Sequence, residues 1–202
     1  MSEITAAQVK TLRDATGAGM MDCKRALIEA DGDVARATEI LREKGLASQA
    51  KRAGRSANQG LVDAYIHFNN TVGVLVEVNC ETDFVANTDE FRSLVKDLAL
   101  HIASPAAPRW LSRDDVPSET LDHERRIFEA QARESGKPDN VIPRIVEGKI
   151  EAFLKDHVLL DQSFVKDDTR TIQALLDEVG AKTGEKVAVR RFTRYRLGED
   201  PE

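Results

Sequence analysis

The chain has 202 residues, of which 41% are hydrophobic, and its 35 acidic and 29 basic side chains give a formal net charge of −6. That length allows one domain or a small domain followed by a larger one. The acidic balance disfavours a protein that binds nucleic acid through phosphate contacts, although a local basic patch is compatible with it. The two cysteines, Cys23 and Cys80, lie in different predicted modules. Two cysteines placed in this way do not form a disulfide framework, and they fit a protein of a reducing compartment.

The pattern of apolar residues contains no targeting or membrane signal. The first five residues lack the basic and apolar regions of a secretion signal and the Arg-rich character of a transit peptide. No stretch approaches the roughly 18 uninterrupted apolar residues that a membrane-spanning helix requires. We therefore expect a soluble, cytoplasmic protein that has neither a membrane nor nucleic acid as a direct partner.

Residues 1–46 predict three short helices. Apolar and small residues recur at helical spacing in three segments, which are separated at Gly17 and Gly19 and again at Asp31, and Gly45 is predicted to end the third helix. The residues expected on the inner faces are Val9, Leu12, Thr16, Cys23, Ala26, Leu27, Ala30, Val34, Ala37 and Leu41. So few large side chains predict a small, compact three-helix bundle.

Residues 47–60 are small, polar and basic and show no apolar period, which predicts a linker between two modules. The cations of this basic linker are Lys51, Arg52 and Arg55. A run of this kind is usually a solvated stretch, and we prefer that interpretation to a nucleic-acid-binding arm.

Residues 61–202 predict a larger core domain in which strands and helices mix. From Leu61 the pattern alternates, and Asn69 and Asn70 predict the tight turn of a β-hairpin. The inner face of the returning strand is predicted to contain Val72, Val74, Val76 and Val78. Amphipathic helices follow near residues 91–102, 121–135, 142–154 and 172–179, and residues 187–195 can add a third strand. The predicted fold class is α+β, with a three-helix module followed by a small antiparallel sheet covered by helices.

The connection between the hairpin and the next helix contains Thr82, Asp83, Phe84 and Val85. Side chains in such a connection are often displayed outward on a rigid base. An exposed Phe84 behind an acid predicts a small wedge directed at another protein, because a solvated loop gains nothing from an aromatic ring. The alternative is that Phe84 packs under its own helix, since aromatic residues are mostly buried.

Met20 and Met21 stand at the start of the second predicted helix. Methionines in this position could be core filler. Neighbouring helical side chains diverge by about 100°, however, so both cannot point inward. At least one methionine is therefore expected on an adaptable apolar surface that suits a protein partner.

The sequence shows no constellation of reactive side chains that would predict an enzyme. The spacing of the histidines fits neither a metal site nor a catalytic site. The four histidines are His67, His101, His123 and His157. Cys80 beside Glu81 could be a nucleophile, but a buried, inert thiol is the preferred interpretation. Two distant cysteines do not make a zinc site. The segment around Gly19 and Lys24 departs from both nucleotide-binding fingerprints, so we expect no cofactor and no bound nucleotide.

Two longer strings carry a family resemblance. Residues 77–86 read Glu-Val-Asn-Cys-Glu-Thr-Asp-Phe-Val-Ala, and residues 12–27 read Leu-Arg-Asp-Ala-Thr-Gly-Ala-Gly-Met-Met-Asp-Cys-Lys-Arg-Ala-Leu. Both resemble signatures of the translation elongation factor Ts family in its short-chain bacterial form. Residues 162–167 and 191–195 extend the similarity, so that it covers essentially the whole chain.

This resemblance implies a function that needs no covalent catalysis. Members of the family are guanine-nucleotide exchange factors that bind elongation factor Tu with GDP, dislodge Mg²⁺ and promote GDP release so that GTP can bind. It implies that Thr82, Asp83, Phe84 and Val85 form the loop that dislodges magnesium. It also implies that the N-terminal module, of the ubiquitin-associated type, contacts the GTPase domain through Arg13, Met20, Met21 and Lys24.

The resemblance implies the role of His67 and the assembly less directly. The segment from Tyr65 to His67 resembles a strand whose histidine contacts a distal domain of the partner in longer members, and a surface histidine without that role is an equal alternative. Longer members have two core halves, whereas this chain has a single composite core and resembles short homodimeric members. A general adaptor for ubiquitin-like folds or helices and a Cys80-dependent enzyme are the rival interpretations.

Overall fold

The computed structural model of this protein describes residues 4–16 and 18–199. The predictions above for residues 1–3, for Gly17 and for the last three positions lie outside those ranges. The helices are α1 (Ala6–Thr16), α2 (Met20–Glu29), α3 (Val34–Ala53), α4 (Asp83–Ala86), α5 (Asp89–Ala103), α6 (Ser118–Glu134), α7 (Ile142–His157) and α8 (Ile172–Thr183). The strands are β1 (Gln59–Ile66), β2 (Val72–Cys80), β3 (Ser163–Phe164), β4 (Asp167–Thr171) and β5 (Ala188–Arg196). Over the described ranges, no helix is both long enough and apolar enough to cross a bilayer.

The first three helices share one small core, as the sequence predicts. The residues buried together in it are Val9, Leu12, Cys23, Ala26, Leu27, Ala30, Ala37 and Ile40. Asp33 caps α3 by accepting hydrogen bonds from the backbone nitrogens of Ala35 at 2.8 Å and Arg36 at 3.1 Å. Val34, which the spacing assigned to the inner face, is exposed in the first turn of α3, and Ile40 contributes to the core instead.

The third helix does not end at Gly45, so that part of the prediction is wrong. It continues to Ala53, and residues 47–53 of the predicted linker are therefore helical. A glycine inside a helix costs only about 1 kcal/mol relative to alanine, and most residues after Gly45 are good helix formers. Arg52 in the last turn is buried and donates to Ser48 Oγ at 2.7 Å, so this cation is not solvated.

The remaining elements combine a small antiparallel sheet with helices, which makes the fold α+β. The strand order in the main sheet is β1-β2-β5, and the C-terminal strand therefore joins the hairpin as predicted. Asn70 adopts a φ of 57° in the hairpin turn, a conformation that asparagine tolerates better than most residues. The inner face of β2 buries Val74, Val76 and Val78.

A second hairpin, formed by β3 and β4, was not predicted. These strands pair Ser163 with Thr171 and Phe164 with Asp167, with a register irregularity between the two pairs. Strands this short have too few residues to show an alternating pattern. Their presence is therefore decided by the surrounding tertiary structure.

The described residues divide into two compact units, each assembled from separate stretches of chain. The first unit contains the N-terminal residues up to Leu61 together with Val78–Ser93 and Leu175–Ala188. The second unit contains Val62–Glu77, Leu94–Ala174 and the residues from Val189 onwards. Within the second unit, α6 and α7 lie on a core formed by Val116, Ala132, Ile142, Val146, Ile150, Leu154 and Val158. The predicted module boundaries at residues 46 and 60 stay predictions.

His101 is fully buried within the second unit. Its Nδ1 accepts a hydrogen bond from the backbone nitrogen of Val165 at 3.2 Å, so the ring proton belongs on Nε2, which lies 2.9 Å from Gln162 Oε1. The Gln162 amide nitrogen donates to the carbonyls of Ala106 and Asp156, which fixes the orientation of that amide. Burial lowers the pKa of His101 below its ordinary value, because desolvation disfavours the imidazolium.

We expect acid to destabilise the fold through His101. The unfolded chain takes up a proton near the ordinary histidine pKa of 6.5, whereas the folded state resists protonation because its pKa is lower. The free energy of unfolding should therefore fall as the pH decreases below about 6.5, by at most about 1.4 kcal/mol per pH unit for this group. Urea unfolding at a series of pH values measures this slope.

His101→Gln should flatten the slope, while His123→Gln, at an exposed position of α6, should leave it at the wild-type value. Equal slopes for the wild type and His101→Gln would contradict the assignment.

Candidate functional site

Phe84 is displayed on the single helical turn α4 at the end of β2. Its side chain is 81% exposed, and Asp83 beside it is exposed as well. The next two residues, Val85 and Ala86, are buried. Neighbouring helical positions point in directions about 100° apart, so one face anchors the turn while another presents Phe84. The alternative in which Phe84 packs under its own helix is therefore wrong.

Threonines brace this turn at both ends. Thr82 has an extended backbone, and its Oγ1 caps the turn by accepting from the backbone nitrogen of Val85 at 3.4 Å. Thr88 Oγ1 donates to the Val85 carbonyl at 2.8 Å and accepts from the backbone nitrogen of Phe91 at 3.2 Å, which joins the turn to α5. We call residues 82–85 the Thr-Asp-Phe-Val turn.

A carboxylate from the connection between α8 and β5 holds the base of the Thr-Asp-Phe-Val turn. Glu185 Oε1 accepts from Thr82 Oγ1 at 2.6 Å. Glu185 Oε2 accepts from the backbone nitrogens of Glu81 at 3.0 Å and Thr82 at 3.1 Å. One side chain therefore satisfies two backbone donors and the capping hydroxyl at the point where β2 ends.

Glu81 makes a reciprocal contact with that connection. Its Oε1 accepts from the backbone nitrogen of Lys186 at 2.6 Å and from Arg55 Nη1 at 3.2 Å. The Lys186 hydrogen bond and then the Arg55 guanidinium hold the pKa of the Glu81 carboxyl below its usual value. Lys186 Nζ donates to the carbonyls of Ala53 at 2.7 Å and Arg55 at 3.1 Å, just after α3. The end of α3 is thereby attached to the connection between α8 and β5.

We call Arg55, Glu81, Thr82, Glu185 and Lys186 the Glu81–Glu185 cluster. Sequence reasoning missed Arg55, Glu185 and Lys186, because their partners are far away along the chain. Their charge was the available signal, and charge alone does not tell a buried contact from a solvated surface.

The thiol beside the cluster is not poised for nucleophilic chemistry. Cys80 is buried, and its Sγ donates to the Thr82 carbonyl at 3.1 Å. Burial is the main cause that raises the pKa of the Cys80 thiol, and the negative charge of Glu185 raises it further. Both favour the neutral thiol, whereas nucleophilic attack requires the thiolate. In the described part of the chain, no group of three or more His, Cys, Asp and Glu side chains could hold a metal ion.

Met20 and Met21 of the N-terminal module are both exposed. Met20 is 55% and Met21 64% exposed at the first turn of α2, while Cys23 and Leu27 on the same helix are buried. Lys24 is exposed on α2, and Arg13 is exposed on α1, which shares a core with α2. The module thus presents an adaptable apolar surface with two cations, in the same unit as the Thr-Asp-Phe-Val turn.

His67 belongs to the other unit. It follows β1 at the hairpin turn, where its Nδ1 lies 3.1 Å from the Tyr65 hydroxyl and its ring centroid 4.5 Å from that of the exposed Phe68. It lines a concave surface of about 490 Å³ together with Lys166 and Arg194. His67 is half-buried, so its other faces are open to a partner.

Comparison with known proteins covers nearly the whole chain. The family model described as "Elongation factor TS" matches residues 3–199. "Elongation factor Ts" of Thermoanaerobacter sp. (strain X514) is 58% identical over 196 residues, which are 97% of this chain and 96% of that relative. The protein of the same name from Caldanaerobacter subterraneus subsp. tengcongensis is 58% identical, over 97% of this chain and 98% of its own length. The protein of the same name from Geobacter sulfurreducens is 53% identical, over 97% of this chain and 90% of its own length.

We expect the exposed Phe84 to contribute little to folding. Phe84→Ala should change the free energy of unfolding by less than about 0.5 kcal/mol, as is usual for exposed positions. Phe91→Ala, seven positions along and fully buried, should lower it by about 3–5 kcal/mol. Urea unfolding of both variants measures the difference, and a comparable loss for Phe84→Ala would mean that its side chain packs against the fold.

Proposed function

This chain belongs to the elongation factor Ts family, and we propose that it is the guanine-nucleotide exchange factor of elongation factor Tu in the elongation step of translation. The observation that carries the proposal is an exposed Phe84 on a turn that the fold braces from both ends. The protein works by binding and makes no covalent intermediate. Its partner is elongation factor Tu with GDP, and translation gives the pair a cytoplasmic role.

Magnesium geometry explains how such a turn can release GDP. The GTPase holds its nucleotide partly through Mg²⁺, which requires near-ideal octahedral geometry at about 2.0–2.1 Å from its ligands. A contact that moves a few of those ligands by about an ångström weakens the nucleotide without touching it. Phe84 wedges between helices of the GTPase domain, and Asp83 hydrogen-bonds to the partner and orients the wedge. Dislodged Mg²⁺ then leaves GDP free to depart.

Thermodynamic reciprocity completes the cycle. If this protein lowers the affinity of the GTPase for GDP by some factor, a bound nucleotide lowers the affinity for this protein by the same factor. GTP that enters the emptied site therefore helps to displace the exchange factor. The exchange factor itself needs no energy source.

The N-terminal module supplies the docking contact. We assign it to the ubiquitin-associated type, and Met20 and Met21 supply the apolar surface that lies on the GTPase domain. Lys24 lies one helical turn after the methionines, and Arg13 adds a second exposed cation on α1, so the positive charge of the module favours an acidic rim on the partner. Thioether side chains adapt to an irregular partner surface, which supports a contact that must accommodate more than one state of the GTPase.

His67 provides a second point of contact, with a distal domain of the partner. The Tyr65 hydroxyl lies within hydrogen-bonding distance of the ring, and Phe68, an exposed aromatic residue at the tip of the hairpin, contacts it at a tilt of 51°. A partner that covers this tip would bury both rings, and aromatic residues are enriched among the residues that dominate binding energy.

The outer face of the three-stranded sheet supports a homodimer. Along this face, exposed apolar side chains come from all three strands, and they include Val62, Ile66, Leu75 and Tyr195. Ile66, Leu75 and Tyr195 line a shallow groove of about 570 Å³ with Ala64 and Leu197. A contiguous exposed apolar patch marks an interaction site. Two copies related by a twofold axis would bury this face against itself, and the Arg191–Glu77 ion pair at 2.8 Å supplies part of a polar rim.

Phe84→Ala should slow exchange much more than it weakens binding. A buried aromatic anchor is typically worth about 2–4 kcal/mol, so stimulated GDP release at saturation should fall roughly 30- to 1,000-fold. Release of fluorescent GDP from elongation factor Tu, with a titration of this protein, separates the maximal rate from the half-saturating concentration.

Met21→Ala is the matched control, because it alters docking and leaves the Thr-Asp-Phe-Val turn intact. It should raise the half-saturating concentration while release at saturation stays near the wild-type rate. If wild-type protein leaves GDP release unchanged, the proposed function is wrong.

Leu75→Glu should convert the dimer to a monomer. A charge at this position of the outer sheet face would be desolvated without a partner in the dimer interface. Light scattering under reducing conditions should report about twice 22.4 kDa for the wild type and about 22.4 kDa for the variant. Val141→Glu, at a partly exposed apolar position at the start of α7, should stay dimeric, and a wild-type protein that scatters as a monomer would refute the assembly.

A further inference from the structure

We infer that Glu185 is a positioning residue for nucleotide exchange, which acts on the partner through the Thr-Asp-Phe-Val turn. The inference rests on the proposed exchange function. It goes beyond that function because Glu185 lies outside every motif that suggested it, about a hundred positions along the chain from Thr82. Its carboxylate contacts the turn and is expected to make no contact with nucleotide or magnesium.

The hydrogen bonds of Glu185 select one orientation of the turn. Its two oxygens receive three donors, namely the backbone nitrogens of Glu81 and Thr82 and the Thr82 hydroxyl. Because an ionised carboxylate accepts more strongly than a neutral group, these bonds fix both the end of β2 and the residue that caps α4. Thr82 Oγ1 donates to Glu185 and accepts from Val85, so the carboxylate also orients the cap.

The segment that carries Glu185 is itself built to stay in place. After α8, Gly184 adopts a φ of +75°, which lets the chain turn back. Gly180 leaves room for that turn, since a Cβ there would come within 2.9 Å of the Glu185 carbonyl oxygen. The Lys186 backbone nitrogen then donates to Glu81, and Arg55 Nη1 reaches both Glu81 and the Gly184 carbonyl, the latter at 3.1 Å. Glu185 is thus held from both sides.

A wedge requires such a support. Phe84 itself makes few contacts with its own fold, because most of its surface is exposed. When the ring enters the partner, either the turn or the partner must move. A flexible turn would change its own position and leave the magnesium ligands of the partner in place. A misplacement of about 1 Å can lower a rate roughly 100-fold when geometry controls the step. We therefore expect Glu185 to govern the maximal rate of release more than the affinity.

The test compares Glu185→Ala with Glu185→Gln in fluorescent GDP release from elongation factor Tu. Glu185→Ala removes both acceptor oxygens and with them all three hydrogen bonds, and release at saturation should fall roughly 10- to 100-fold, with at most a few-fold change in the half-saturating concentration. Glu185→Gln keeps an oxygen for the two backbone donors and should restore most of the rate. Glu129→Ala, which removes the same charge from a half-exposed pair with Arg133, should behave as wild type.

A double variant separates positioning from a general loss of structure. If Glu185 acts through Phe84, then adding Glu185→Ala to Phe84→Ala should lower release by less than about two-fold further. A purely structural role would multiply the two effects and would reduce the folded fraction rather than the rate per folded molecule. Urea unfolding of each variant supplies that fraction.

The outcomes distinguish this inference from the function on which it rests. If wild-type protein fails to stimulate release, the proposed function fails. If wild-type protein is active and Phe84→Ala is slow, but folded Glu185→Ala matches the wild type, only the positioning role is refuted. Should Glu185→Ala not fold, Glu185→Asp takes its place, since it keeps the charge but withdraws the carboxylate by roughly 1.5 Å. A wild-type maximal rate for folded Glu185→Asp would then overturn the inference.

Discussion

Two glutamates, each of which accepts from backbone nitrogens in the segment that carries the other, are the contact on which the candidate site depends. Glu185 accepts from the backbone nitrogens at the end of β2, and Glu81 accepts from the backbone nitrogen of Lys186. Both carboxylates are partly buried, and a carboxylate that loses water needs hydrogen-bond donors or a cationic neighbour. Arg55 and the backbone donors meet that need, and the Lys186 ammonium contacts the carbonyls of Ala53, the last residue of α3, and of Arg55. The three-helix module, the end of β2 and the connection before β5 therefore meet through charge-assisted hydrogen bonds rather than through apolar packing alone.

Phe84 and the two methionines of α2 are exposed beside buried residues that anchor the same helices. Phe84 is followed by the buried Val85, and the exposed Met20 and Met21 share α2 with the buried Cys23. A backbone that is already anchored loses little conformational entropy on binding, so more of the contact energy is available to distort the partner. Exposed apolar groups of this kind also carry a risk of aggregation.

Elements with a strong local period could be predicted, and those that depend on distant contacts could not. The alternation of β2 and the amphipathic spacing of α5 identified both elements, and the alternation near residue 190 identified β5. The end of α3 was misplaced, because a glycine is a weak stop signal when the residues after it favour helix and Arg52 finds a buried site. The β3–β4 hairpin was missed, since strands of a few residues are stabilised by their surroundings and leave no periodic signal.

The sequence by itself determined the family, the α+β class and the identity of the residues in the Thr-Asp-Phe-Val turn, because these follow from local strings and local periodicity. Only the tertiary structure decided that Phe84 points outward, since residue type alone favours a buried position for an aromatic side chain. The tertiary structure alone also recruited Glu185 and Lys186 to the base of that turn. Hydrogen bonds between residues about a hundred positions apart have no local signature, so they exist only once the chain has folded.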